Sequence, residues 1–283
     1  MRSAAAAEKA VSAQTAAAAV AAPGVPVAPP APVPPLKPAE PKTSAWTGVV
    51  GLGLIALTGN SQALTFKGNG AFERKTEEWI YGFKANAQYG QARAAGATDT
   101  LVSAMAAEAQ LRGDRRLSQQ LSVFLLAGIL ADHVKSIEER PYAEAGVSLI
   151  WFDTKEGGLQ KSTLKTDLGF RYGREYRFAY YPTPGRVDPS EVDIIAPHAG
   201  LSFRYAVNKD IIFTQDLDVV PNLVGETRLL LNSLSKLAAR LSESVSLGIS
   251  YGIAYDSVPP DNTPAHPKLN TDTALTIGLE VAL

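Results

Sequence analysis

Cysteine is absent from the 283 residues, which excludes a disulfide framework and thiolate metal sites. Also missing is any run near the roughly 20 apolar residues that a spanning helix needs. The best stretch, Thr47 to Leu57, is short and glycine-rich. Any membrane crossing must therefore be made by strands. Strands in lipid must close on themselves, because an open edge leaves costly unpaired amides. Excess charge is lacking too: 27 Lys and Arg stand against 28 Asp and Glu, a net charge of -1. That excludes nucleic acid as a partner, which would need a basic surface. Histidine is scarce, with only His133, His198 and His266, and no spacing of histidine and carboxylate suggests zinc. Apolar residues make up 46% and mean hydropathy is near zero. Neither value announces a membrane protein, but in a barrel the wet face averages the signal away.

Residues 1–45 differ from everything after them. Ser3 to Ala22 is mostly alanine, and Pro23 to Pro41 alternates Pro, Ala and Val. Alanine favours a transient helix, and the proline tract is extended and polyproline-like. Neither can bury a core, so a disordered leader is expected, either a periplasmic linker or a degenerate signal. Arg2 and the Ala-x-Ala steps are marks of a signal, while Glu8, Lys9 and Gln14 interrupt its apolar heart.

From Trp46 the chain alternates. The last stretch, Thr271 to Leu283, has Leu275, Ile277, Leu279, Val281 and Leu283 on one parity and Asp272, Thr276, Gly278 and Glu280 on the other. A strand sends successive side chains to opposite faces, so this segment has one apolar and one wet face. The pattern recurs over Leu64 to Arg74, Trp79 to Gly90, about Asp99 to Arg112, Tyr142 to Phe152 and Ser162 to Phe178. It returns around Ala199 to Val207, Ile211 to Val219, Arg228 to Leu237 and Val245 to Asp256. About Leu117 to Asp132 is apolar on both faces, and its register stays open. Pro197 cannot donate a ladder bond and is expected to mark a strand end or bulge.

The expected fold is all-β: a transmembrane antiparallel up-and-down barrel over residues 46–283, with about twelve strands, an even number as bacterial single-chain barrels require. The connections alternate in character. Lys75 to Glu78, Arg112 to Arg115, Asp153 to Lys161, Asn208 to Asp210 and Leu241 to Ser244 are mostly short and charged. Gln91 to Thr98, Tyr180 to Asp193 and Ser257 to Asn270 are long and rich in Gly or Pro. Short periplasmic turns and longer outer loops are the asymmetry of the class, so both termini are expected in the periplasm of a bacterial envelope. Trp46, Trp79, Tyr89, Trp151, Tyr172, Tyr176, Phe178, Tyr180, Tyr181 and Tyr255 fall near the expected strand ends. They form either an aromatic girdle at the membrane interfaces or loop aromatics on a soluble core.

The wet parity supplies the candidate lumen-lining residues: Lys67, Lys84, Glu144, Lys165, Asp167, Arg171, Glu175, Arg204, Asp216, Asp218 and Arg228. Glu73, Glu108, Lys236, Asp272 and Glu280 share it. Mixed signs on one face predict a cross-strand network that stiffens the wall. A lumen of about twelve strands is either filled by side chains or a narrow pore. No catalytic constellation emerges. His198 falls on the wet face, but its nearest serine, Ser202, is four positions on, too far along a strand for a hydrogen-bonded pair. The expected partners are outer-membrane lipid, the barrel-assembly machinery during biogenesis, and small polar solutes or ions. No metal or cofactor is expected. A barrel enzyme acting on lipid is the rival reading, and a soluble secreted β protein is another.

Trp46 with the glycine-rich strand after it, then Thr58, Gly59, Asn60 and Ser61, resembles the opening of a domain-of-unknown-function family. Its members are described as salt-induced outer membrane proteins (YdiY-like). Gly and Asn accept the positive φ that a tight hairpin needs. Thr166 to Glu175, Leu237 with Arg240 to Ser242, and Asn270 to Thr273 leading to Gly278 and Leu279 fit the same family. The resemblance covers Trp46 to Leu283 and implies an outer-membrane barrel, a link to salt or envelope stress, and no established activity. One departure is the last residue, Leu283, where such barrels usually end in Phe or Trp for recognition by the assembly machinery.

Overall fold

The computed structural model describes residues 45–57, 62–93, 98–157, 159–180, 187–260 and 268–283. The expected leader as far as residue 44, the turn at Thr58 to Ser61, Tyr181 and His266 lie outside the described residues. Twelve strands follow one another: β1 Trp46–Leu57, β2 Gln62–Lys75, β3 Trp79–Arg93, β4 Leu101–Arg116, β5 Leu121–Asp132, β6 Ile137–Glu156, β7 Leu159–Arg177, β8 Val192–Ala206, β9 Ile211–Asn222, β10 Arg228–Arg240, β11 Val245–Asp256 and β12 Thr271–Ala282. Each pairs antiparallel with its sequence neighbours, and β1 pairs with β12, so the sheet closes into a barrel. Closure runs from Val49 opposite Ala282 to Gly53 opposite Gly278.

Parity sorts the wall as expected. On β12 Leu275, Ile277, Leu279 and Val281 are exposed on the outside, while Ala274, of the opposite parity, is buried. Leu125, Leu168, Phe170, Tyr172 and Leu111 stand out from the wall with more than half their surface exposed. Among the described residues the cluster of fully buried apolar residues is small: Ile194, Ala196 and Val220. The distribution is inverted relative to a water-soluble globule, which rarely exposes so large a contiguous apolar face. The register left open for β5 resolves, with Leu121, Val123, Leu125 and Ile129 outside and Phe124 and Leu130 within.

Two ends are distinct. Four of the five short turns share one device, a side-chain oxygen that accepts the N–H three residues on. Thr76 caps Trp79, Ser118 caps Leu121, Asn208 caps Ile211 and Ser242 caps Val245. Such local bonds supply the turn with an acceptor the ladder cannot. The fifth turn holds Gly157 at a φ of 59°, a left-handed conformation that a β-carbon would strain. Both strand termini of the barrel, Trp46 and Ala282, lie at this turn end.

Three expectations are corrected. Arg112 to Arg115 is not a turn: β4 continues to Arg116, and Leu117 to Gln120 make the connection. Asp153 to Lys161 is mostly strand, since β6 and β7 extend to Glu156 and from Leu159. Pro197 neither ends β8 nor bulges it, and pairs opposite Phe170 in an unbroken register with β7. What lapses is the other side. The β8–β9 ladder stops at Ala199 opposite Val219, and the same register continued would set Pro197 against Pro221. Two prolines facing each other have no donor between them. Beyond them Asn222 Oδ1 accepts from the Ile195 N–H at 2.9 Å in place of a backbone carbonyl.

All three tryptophans, Trp46, Trp79 and Trp151, are exposed on the outer wall at the turn end. A bulge between Ile150 and Phe152 leaves Phe152 exposed beside Trp151. Tyr89 and Tyr172 project near the loop end. From Trp79 to Tyr89 is ten residues. At about 3.3 Å each and a tilt of about 40° they climb roughly 25 Å, the height of an apolar barrel band.

Candidate functional site

The inner wall is a charged network arranged at three levels. Near the turn end Arg112 on β4 is the centre. Its guanidinium donates to Asp114 through Nε (2.9 Å) and Nη2 (2.7 Å), and to Ser148 Oγ (2.6 Å) on β6. It also donates to Asp167 Oδ2 (2.6 Å) on β7. β4 and β7 are three places apart in the sheet, so this bond crosses the lumen rather than following the wall. Lys165 Nζ lies 3.3 Å from Asp167. The Arg112 guanidinium rests 4.0 Å from the Phe124 ring centre. That ring needs the space left by Gly146, where a β-carbon would meet Phe124 at 2.8 Å and the Leu168 carbonyl at 2.3 Å.

At mid-depth a relay joins side chains from six strands, β3, β4, β6, β7, β8 and β9. Asn86 and Gln110 donate to Glu108, as does the Tyr142 hydroxyl at 2.9 Å. Arg171 lies over the Tyr142 ring, 4.7 Å from its centre, and donates to Glu144 Oε2 at 3.0 and 2.8 Å. His198 Nδ1 faces Glu144 Oε1 at 2.5 Å, and its Nε2 faces Asp218 Oδ1 at 3.0 Å. Both contacts are hydrogen bonds only when the ring carries two N–H groups.

Near the loop end Glu175 is the centre, wholly buried. Arg140 reaches it from β6, Arg177 Nε at 2.5 Å from β7 and Arg228 Nη2 at 2.5 Å from β10. Arg177 also binds Glu226 at 2.7 Å, and Arg228 lies 3.5 Å from Asp256. Above them the connection between β5 and β6 folds into the mouth. Ser136 there has a φ of 66°. Lys135 Nζ meets Asp272 of β12, on the far wall, at 2.9 Å, and Lys268 donates to Ser136 Oγ at 3.1 Å. Side chains therefore cross the lumen near its two ends, while the mid-depth relay follows the wall.

All eleven candidate lumen residues lie on the inner face. The structure gathers Lys165 and Asp167 around Arg112; Glu144, Arg171 and Asp218 around His198; and Glu175 with Arg228. Asp216 accepts from Ser202 at 2.6 Å. Ser202 is thus bonded to Asp216 and His198 to two other carboxylates, so the pair that a lipid-cleaving reading would need is not assembled. Lys67 donates to Thr276 at 3.0 Å, and Arg204 donates to Gln160. Lys84 makes no hydrogen bond or ion pair among the described residues. Nor, among them, do three histidine or carboxylate side chains converge as a metal site.

Sequence reading missed Arg112, because glycine beside charge resembled a turn. Its signal was present: Glu108, Gln110, Arg112 and Asp114 share one parity. Arg140 and Tyr142 were missed because their partners, Glu175 and Glu108, lie 35 and 34 residues away in sequence, and Arg177 because its second partner, Glu226, lies 49 residues on.

Residues 50–283 match a family described as "Protein of unknown function, DUF481". No curated protein matches the chain. Among solved structures the barrel is similar to the NanC porin, with 13% identity over 84% of this chain and 100% of that one and a TM-score of 0.45. It is similar to the translocator domain of the autotransporter NalP from Neisseria meningitidis, with 9% identity over 84% and 86% and a TM-score of 0.45. A third is an outer membrane channel from Pseudomonas putida F1, with 10% identity over 89% and 98% and a TM-score of 0.44.

Proposed function

The chain belongs to the DUF481 family of proteins of unknown function, and from that premise we propose that it is an integral outer-membrane barrel with a narrow lumen for small polar solutes or ions. The observation that carries the reading is the inverted wall. Large apolar side chains cover the outside of a closed sheet, and buried Glu108, Glu144, Glu175, Arg228 and Lys236 line the inside. In water that arrangement would expose a liability; in lipid it satisfies every backbone amide and keeps charge out of hydrocarbon. The tryptophans at one end and Tyr89 and Tyr172 at the other suit the two interfaces. Solute selection would come from the width left between the cross-lumen bonds and from the charges beside it.

The cross-lumen ties support a second reading, a structural barrel with no conduction. Two measurements separate the cases. A lipid-confined carbene probe is expected to label Leu247, Ile249 and Leu279 and to spare Lys67 and Asp167. Labelling without regard to parity would end the membrane reading. Planar-bilayer recording of the purified protein is expected to give small discrete conductance steps. Silence at every voltage, with the labelling intact, would leave the structural barrel.

A further inference from the structure

We infer that the lumen takes small zwitterions, with the solute's carboxylate at Lys84 and its ammonium at Asp216; this rests on the narrow-lumen reading above. The two residues lie on β3 and β9, six places apart in either direction around the closed sheet. They stand on opposite walls of the bore. Neither has an ion pair among the described residues. Lys84 bonds to no other side chain there. Asp216 Oδ1 accepts from Ser202 at 2.6 Å, and its Oδ2 has no donor among them. The other charges near Asp216 are already engaged. Asp218 is bonded to His198, and Lys236 is paired with Glu280. Arg204, nearer the turn end, donates to Gln160 and is answered electrostatically by Asp153. Lys84 acts on the Asp216 carboxylate from across the bore, so the two charges balance without touching.

The wall between them leaves room. Gly51 and Gly53 of β1 carry no side chain, and Asn69 of β2 and Thr276 of β12 lean into the space their β-carbons would take. Water reaches this stretch, since Ser202 is exposed on the inner face and Asp218 keeps 34% of its side chain exposed. Neither sign is in excess here. Lys67 donates only to Thr276, and Glu108 accepts only from the neutral Asn86, Gln110 and Tyr142. Two ammoniums without a carboxylate, Lys67 and Lys84, therefore stand against two carboxylates without a cation, Glu108 and Asp216. A simple anion drawn to Lys84 is repelled by Asp216, and a simple cation drawn to Asp216 is repelled by Lys84. A solute carrying both charges satisfies both walls at once, and the low-dielectric surroundings strengthen each contact. An ammonium is a compact point charge without a fixed fork, so it sets no planar geometry on the solute. The selected class is short amino acids with both charged groups free.

Uptake of trace isotope-labelled β-alanine into proteoliposomes, set against its uncharged isomer lactamide, reads the preference. Each initial rate is taken less that of protein-free vesicles. β-Alanine is expected to enter about tenfold faster, equivalent to about 1.4 kcal/mol. Changing Lys84→Gln and Asp216→Asn together keeps the net charge and should bring the ratio to about one. Lys84→Gln alone removes no bond of the wall, so the severalfold loss of preference expected from it is not a folding effect. Lys75→Gln at the rim should leave the ratio unchanged; an equal loss there would trace the preference to net charge and overturn the inference. Equal native rates, or a preference that survives the changes at Lys84 and Asp216, would overturn the inference and leave the channel. No uptake of either solute would overturn both, so the two failures are told apart.

Discussion

Replacing Glu175 by Gln tests whether the loop-end clamp holds the barrel together. Glu175 and Arg228 are both wholly buried, and Arg177 nearly so. Three guanidiniums, from Arg140, Arg177 and Arg228, converge on this one carboxylate. Arg177 keeps Glu226 when the charge is removed, and Arg228 keeps the longer contact to Asp256. Arg140 loses its carboxylate ion pair and keeps only the more distant charges of Asp132 and Asp256. Gln preserves the shape but turns an amide donor toward cations that themselves only donate. Removing one partner of a buried pair costs about 3–5 kcal/mol, because the remaining charge stays in a poor solvent. The folded-to-unfolded ratio should therefore fall by on the order of a hundredfold or more. Urea unfolding of the barrel reconstituted in lipid vesicles, followed by tryptophan fluorescence and by gel mobility of the unboiled protein, reads that change. Glu191→Gln is the matched control, since Glu191 pairs with Arg174 on the exposed outside; exposed pairs contribute little, and no shift is expected. If Glu175→Gln and Glu191→Gln unfold at the same denaturant concentration, the clamp is not a stabilising element and the reasoning fails.

Gly146→Val should be more damaging than its size suggests, because the new β-carbon would lie 2.3 Å from the Leu168 carbonyl. Impaired refolding is expected, and a variant that folds and unfolds like the native chain would refute the packing of Phe124 against that glycine. The β8–β9 seam should be the most labile part of the sheet toward the loop end. Hydrogen exchange at Ile195 and Leu223 is expected to outpace exchange at Leu230 and Leu231, which sit in the continuous β9–β10 ladder. Equal protection would mean that the facing prolines do not interrupt the wall.

How legible was this molecule from its residues? Strand number, wall parity and the unequal ends were readable, because each depends on a period of two and on local turn chemistry. Leu275 to Leu283 declare an outer face without reference to any partner, and Asn208 announces a turn through its own side chain. The strand limits at Arg112 and Asp153 were misplaced for a local reason too. Charge beside glycine is a turn signal in water, but inside a barrel the same residues continue a strand whose polar face is sheltered.

What the sequence by itself determined is therefore a closed sheet with an apolar jacket and a polar bore, since alternation fixes the face of every residue. Only the tertiary structure decided which charges meet. Arg112 finds Asp167 and Lys135 finds Asp272 because closure brings together strands that are far apart in sequence. Pairing across a lumen depends on barrel register and side-chain reach, neither of which leaves a periodic trace along the chain.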